Sequence, residues 1–194
     1  EAGLNTTTGI KNTLVGGSAG DALTTGVQNV AMGYEALSGE DTGSKSVAIG
    51  AFALRVQNFD GDAYNVAIGH DAGKAITTGT TNTIVGGLAG DALTEGANNT
   101  LLGYTAGGAL TTGGSSTIIG AYAGDALTTG IRNTALGYGA LSTSVDGDKN
   151  TAIGYLALED YEGSDGEGHN TAVGNESQLN ASTGEFNTSL GSLS

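Results

Sequence analysis

A short pattern of polar, apolar and small positions recurs along nearly the whole chain: Asn, a β-branched residue, a small or aliphatic residue, an aliphatic residue, Gly. Its copies begin at Asn12, Asn29, Ser46, Asn65, Asn82, Asn99, Ser116, Asn133, Asn150, Asn170 and Asn187. Successive copies lie 17 residues apart, except for steps of 19 (Ser46 to Asn65) and 20 (Asn150 to Asn170). A fixed period of this kind marks a repeat architecture, in which each unit buries its apolar surface against the next.

The second position is Thr or Val in every copy, as in Val30, Val47, Thr83 and Thr134, and β-branched residues favour strands. The fourth is always Val, Ile, Leu or Met. Residues two apart share one face of a strand, so these positions form one stripe. The third position points the other way, yet it too is mostly apolar (Leu14, Ala31, Ile84, Leu101, Ile118, Ala152). A short strand buried on both faces is therefore expected, as in parallel sheets. The fifth position is Gly throughout, from Gly16 to Gly191, which calls for positive φ or close approach of a neighbouring backbone. The eighth is Ala in nine copies and Ser at Ser177 and Ser194, a column with room for one methyl group.

The second half of the unit has two forms. In copies such as Gly20-Asp21-Ala22-Leu23 the aliphatic residue comes late. Copies with Ala36-Leu37, Ala53-Leu54, Ala140-Leu141 or Ala157-Leu158 place it three positions earlier and then turn polar. A second Gly recurs near the end of the unit, at Gly26, Gly43, Gly79, Gly96, Gly113, Gly130, Gly147 and Gly184. Two Gly-marked turns and two short strands per unit predict one coil of an all-β parallel solenoid, with about eleven coils in a single repeat domain over 1–194. The domain divides into a partial copy (1–11), full copies (12–186) and a final partial copy (187–194). Helical repeats need longer, Gly-poor units. Stacked Asn side chains at the first position predict an amide ladder. No polar capping unit is visible at either end, as expected of a segment of a longer fibre or of a processed product.

Composition narrows the function. Hydrophobic residues make up 38% of the chain but aromatics only 5%, with 36 Gly among 194 residues, so thin regular layers are expected rather than an irregular core. The formal net charge of −14 argues against nucleic acid and against docking on anionic membranes. No run of about 18 apolar residues is present to span a bilayer. Without Cys there are neither disulfides nor thiolate metal ligands.

Asn133-Thr134-Ala135-Leu136-Gly137-Tyr138 and Asn150-Thr151-Ala152-Ile153-Gly154-Tyr155 resemble repeats of bacteriophage tail fibres and related secreted proteins. Ser46-Val47-Ala48-Ile49-Gly50 is similar to the motif of trimeric autotransporter adhesin heads, whose repeats are shorter than 17 residues. The resemblance implies a left-handed β-roll, a homotrimeric fibre, and an extracellular place on a virion tail or bacterial surface, where the fibre meets a host receptor or glycan. The doubly apolar strand agrees with trimerisation: one stripe can fill the coil and the other meet partner chains. Either stripe fits either role.

Candidate chemistry is sparse, and no enzyme is expected. His70 and His169 lie about six coils apart, roughly 25–30 Å, too far to share a site. Gly69-His70-Asp71-Ala72-Gly73-Lys74 has the wrong spacing for a phosphate loop. No cofactor is indicated. The two long copies carry Asp60 and Asp62, and Glu159, Asp160, Glu162, Asp165 and Glu167; carboxylates alternating with Gly are candidate calcium ligands, weighed against simple solvated loops. Tyr34, Tyr104, Tyr138 and Tyr155 follow the invariant Gly, with Phe52 and Tyr122 one place later, as candidate recognition residues or turn packing. Ice binding is the alternative function. Threonines form columns at Thr83, Thr100, Thr117, Thr134, Thr151, Thr171 and Thr188, and at Thr77, Thr94, Thr111 and Thr128. Against it, no Thr-x-Thr pair repeats, and the longer column falls in the strand expected to be buried.

Overall fold

The computed structural model describes residues 1–161, 168–180 and 183–194. It is a parallel β-solenoid: eleven three-residue strands in one sheet, stacked strictly in sequence order, with no helix among the described residues. β1 (Thr13–Val15) pairs with β2 (Val30–Met32) so that Thr13 faces Val30, Leu14 faces Ala31 and Val15 faces Met32. The same register holds through β7 (Thr117–Ile119) and β8 (Thr134–Leu136) to β11 (Thr188–Leu190). The two long copies re-enter in step: Val47 pairs with Val66, and Thr151 with Thr171. The added length does not shift the sheet.

The inward face of the sheet is the third position. Ala31, Ile84, Leu101, Ile118 and Ala135 are fully buried, and the eighth-position alanines beside them are buried as well. The second and fourth positions point outward. Met32, Ile68, Leu102 and Leu136 are each about 40% exposed. The expected burial of both strand faces is thus corrected: a single chain buries one, and the other remains an outward surface of one Thr or Val column and one aliphatic column. A second correction concerns the number of strands. Each coil has one strand, not two, because its second half runs through turns too tight for consecutive extended residues. That half still stacks through inter-coil hydrogen bonds, as in Thr77 N–H to the Thr94 carbonyl (3.0 Å) and Thr94 N–H to the Thr111 carbonyl (2.8 Å).

The two forms of the repeat are two ways of filling one cross-section. Where the third position is large, the ninth is Gly and the twelfth Leu: Ile118, Gly124 and Leu127 in one coil. Where the ninth is Leu, the third is Ala, as in Ala31, Leu37 and Glu40 or Ala48, Leu54 and Gln57; the coil of Ala67 keeps Gly73 and Ile76. A Cβ on Gly124 would lie about 3.0 Å from both Leu127 and Ile118, so a ninth-position Leu needs Ala at the third position. Close packing forces this exchange of volume between positions.

Corners are made by left-handed backbone. The residue before each first position has φ near +60°, at Lys11, Gln28, Lys45, Arg132, Lys149 and their counterparts. The seventh and ninth positions do the same, including the bulky Phe52, Tyr122, Leu37 and Leu141. Left-handed backbone costs about 1–2 kcal/mol per non-Gly residue, an outlay that the stacked hydrogen bonds and core offset.

Glu40 is fully buried where regular coils carry Leu. Its carboxylate accepts from Gly43 N–H (2.7 Å), Gln57 Nε2–H (2.9 Å) and Phe59 N–H (3.3 Å). Glu40→Leu therefore destabilises, although Leu is the usual residue there: Gly43 N–H and the part-buried Phe59 N–H lose their acceptor, Gln57 Nε2 keeps only Ser46 Oγ, and Leu37 already fills the space. The expected cost is about 2–4 kcal/mol, read as a lower urea midpoint. A midpoint at or above that of the parent would refute this account of the network.

Candidate functional site: the sheet face and its flanks

The outward sheet face is the largest candidate surface. Its two columns are the second position (Thr13, Val30, Val47, Val66, then Thr83 to Thr188) and the fourth (Val15, Met32, Ile49 and on to Leu190). The longer threonine column is therefore outward, which corrects its expected burial. Among the described residues, the hydroxyls of Thr83, Thr100, Thr117, Thr134 and Thr151 take no protein hydrogen-bond partner. The second column behaves differently: Thr77, Thr94, Thr111 and Thr128 each donate a side-chain hydrogen bond to the next coil's backbone.

One flank of the face is the seventeenth position, the left-handed corner before each Asn. Four of the chain's six basic residues sit there, Lys11, Lys45, Arg132 and Lys149. Aligning the residue that precedes each Asn would have shown this column from sequence. Lys45 is tied down by Asp62 (2.6 Å) and stands 5.1 Å from the Tyr64 ring centre. Hydrogen bonding to Lys45 lowers the Asp62 carboxyl below its ordinary range.

The other flank carries the aromatics. Tyr34, Phe52 and His70 stack edge to face at 5.4 and 5.7 Å, and Tyr104, Tyr122, Tyr138 and Tyr155 form a second ladder at 5.5, 5.7 and 5.6 Å. The four tyrosines singled out from sequence are each about half exposed. They are brought together in ladders rather than as isolated platforms, one face packed and the other open. His70 and His169 stay separate: His70 pairs with Asp71 (3.1 Å), and His169 stacks on Phe186 at 4.8 Å.

Behind this flank, the seventh and tenth positions line shallow grooves. In one, Arg55 pairs with Glu35 (2.8 Å) and lies over the Phe52 ring at 5.2 Å. In the middle of the rod, Lys74 pairs with Asp71 at 3.5 Å. A third groove, about 390 Å³, opens where Gly139 leaves a gap between Tyr122 and Leu156; Tyr138, Asp125, Ser142 and Glu159 complete it. Burial raises the Asp125 carboxyl, and burial with the neighbouring Asp160 and Glu176 raises that of Glu159. No basic side chain lines this groove.

Among the described residues no group of three or more His, Asp or Glu side chains is placed to hold a metal ion. Asp60 accepts from Thr42 (3.2 Å), Asp62 is held by Lys45, and the Asp160 backbone N–H donates to the Leu179 carbonyl. Glu162, Asp165 and Glu167 lie outside the described residues. Among the described residues no helix is long and apolar enough to cross a membrane. No family model, curated protein or solved structure matches the chain.

Proposed function

We propose that the chain is a structural, non-enzymatic segment of an extracellular fibre of the phage tail-fibre or bacterial adhesin kind, assembled as a homotrimer through the outward sheet face. Its flanks stay available to a host receptor or glycan. The observation that carries this reading is the face itself: two uninterrupted columns, one Thr or Val and one aliphatic, along eleven stacked strands. At about 4.8 Å per strand and 3.3 Å per residue, the surface between the two flanks covers roughly 1,000 Å². A stable pairwise interface needs about 800 Å² from each partner; a trimer divides this face between two neighbours, so the flanks add to each contact. Such a stiff rod would hold several recognition surfaces at fixed spacing, the geometry in which weak sites gain by multivalency. Light scattering at tens of micromolar chain should give about three times the 18.9 kDa chain mass; a monomer at that concentration overturns the reading.

The outward threonine column supports a second reading, an ice-binding surface, since its hydroxyls are regularly spaced and unbonded within the chain. The two readings compete for one face. A monomer that shows thermal hysteresis, abolished by Thr117→Glu, would establish the second; an assembled chain without hysteresis would exclude it.

A further inference from the structure

The grooves of the aromatic flank can be compared with one another, because the repeat places the same columns in each. At the Phe52 groove the chain supplies a guanidinium, Arg55, held between the Glu35 carboxylate and the ring. At the next site it supplies an ammonium, Lys74, held by Asp71. The groove at Gly139 keeps both partners of a cation, the rings of Tyr122 and Tyr138 and the carboxylates of Asp125 and Glu159, and has no cation in its lining. Asp125 and Glu159 are partly buried, which raises both carboxyls, and neither makes an ion pair among the described residues. Rings and carboxylates together favour a guanidinium, through cation–π contact and charge-assisted hydrogen bonds.

A fitting group exists at the same level of the rod. Arg132 closes the coil that contains Tyr122 and Asp125, is exposed, and makes no ion pair among the described residues. It cannot enter its own groove, because it stands on the opposite flank of the sheet face. In a ring of identical subunits, the basic flank of one copy adjoins the aromatic flank of the next. We propose that the groove beside Gly139 receives the guanidinium of Arg132 from a second copy of this chain. The inference rests on the reading that copies meet through the sheet face. It adds what that face lacks. The columns repeat every coil, so an apolar contact alone permits slippage by one strand spacing, and a charge seated in one groove fixes the register.

The test uses the full chain and sedimentation over a concentration series. Arg132→Glu should raise the concentration at which subunits dissociate at least tenfold, and so should the pair Asp125→Lys with Glu159→Lys. Joining all three substitutions restores opposite charges and should recover most of the loss. Circular dichroism of each variant at low concentration separates weakened assembly from unfolding. The chain contains no Cys, so Arg132→Cys combined with Ser142→Cys gives a direct reading: an inter-chain disulfide forms if the two flanks meet at that level. If the parent assembles but Arg132→Glu dissociates no more readily, or no disulfide forms, the Arg132 contact is wrong while the sheet-face reading stands. A monomeric parent overturns both.

Discussion

Gly120→Val is expected to lower the melting temperature by about 10 °C or more, the largest effect of any single substitution in the regular coils. Gly120 follows β7 at φ +137°, a backbone that a β-branched residue adopts only under strain. A Cβ there would also stand 2.3 Å from the Gly137 carbonyl oxygen and 2.6 Å from its carbon, backbone atoms of the next coil that cannot turn aside. Left-handed strain costs about 1–3 kcal/mol; forcing two stacked coils apart brings the total above about 4 kcal/mol. For a chain of this length each kcal/mol is about 2–4 °C. Gly87 is the control. Its Cβ would meet nothing nearer than a Tyr104 ring carbon at 3.7 Å, and sister coils carry Ala51 or Ala121 at that position. Gly87→Ala should therefore change stability by less than about 0.5 kcal/mol. Equal melting temperatures for Gly120→Val and the parent would mean that the invariant Gly column marks only a loose turn.

That column was legible in the sequence because a period of 17 exposes any residue the backbone cannot replace. Strand positions, register and the buried Ala column were legible for the same reason. The outward sense of the second and fourth positions was not. Both stripes are apolar, and hydrophobicity alone cannot say which one a single chain buries; the volume exchange between third, ninth and twelfth positions decides it. Ala31 faces Leu37 and Ile118 faces Gly124, so the third position shares the core with the ninth. The missing second strand has a different cause. Residues such as Leu37, Phe52 and Tyr122 give no sequence sign of left-handed backbone, yet they form the corners that shorten the second half of each coil. The groove at Gly139 was hidden because it joins the seventh and tenth positions of three coils, columns whose residue types vary along the rod.

The second large effect is expected at Asn99, in the middle of the amide ladder. Its side chain donates to the Gly113 carbonyl (3.0 Å), tying the start of the coil to its end, and accepts from Ser116 N–H (3.1 Å) of the following coil. The same double contact recurs at Asn29, Asn82 and Asn133, all buried. Asn99→Ala leaves a buried carbonyl and a buried N–H without these partners, at about 1–3 kcal/mol each. The sum, about 2–6 kcal/mol, appears as a lower urea midpoint. Asn99→Ser should cost clearly less. At Ser116 a hydroxyl already accepts from Asn133 N–H (3.1 Å), so one of the two contacts survives. Asn99→Asp separates the donor role from the acceptor role. A carboxylate still accepts from Ser116, but it faces the Gly113 carbonyl with no proton to donate, and burial without a cation raises its pKa in the folded chain. A raised folded-state pKa in an acid means that the folded chain binds the proton more tightly than the unfolded one, so the penalty shrinks as pH falls through that pKa. Relative to the parent, Asn99→Asp should thus be most destabilised near neutral pH and should approach it near pH 4, where the protonated acid can again donate. Three variants with equal midpoints at every pH would show that the ladder accompanies the stack without holding it.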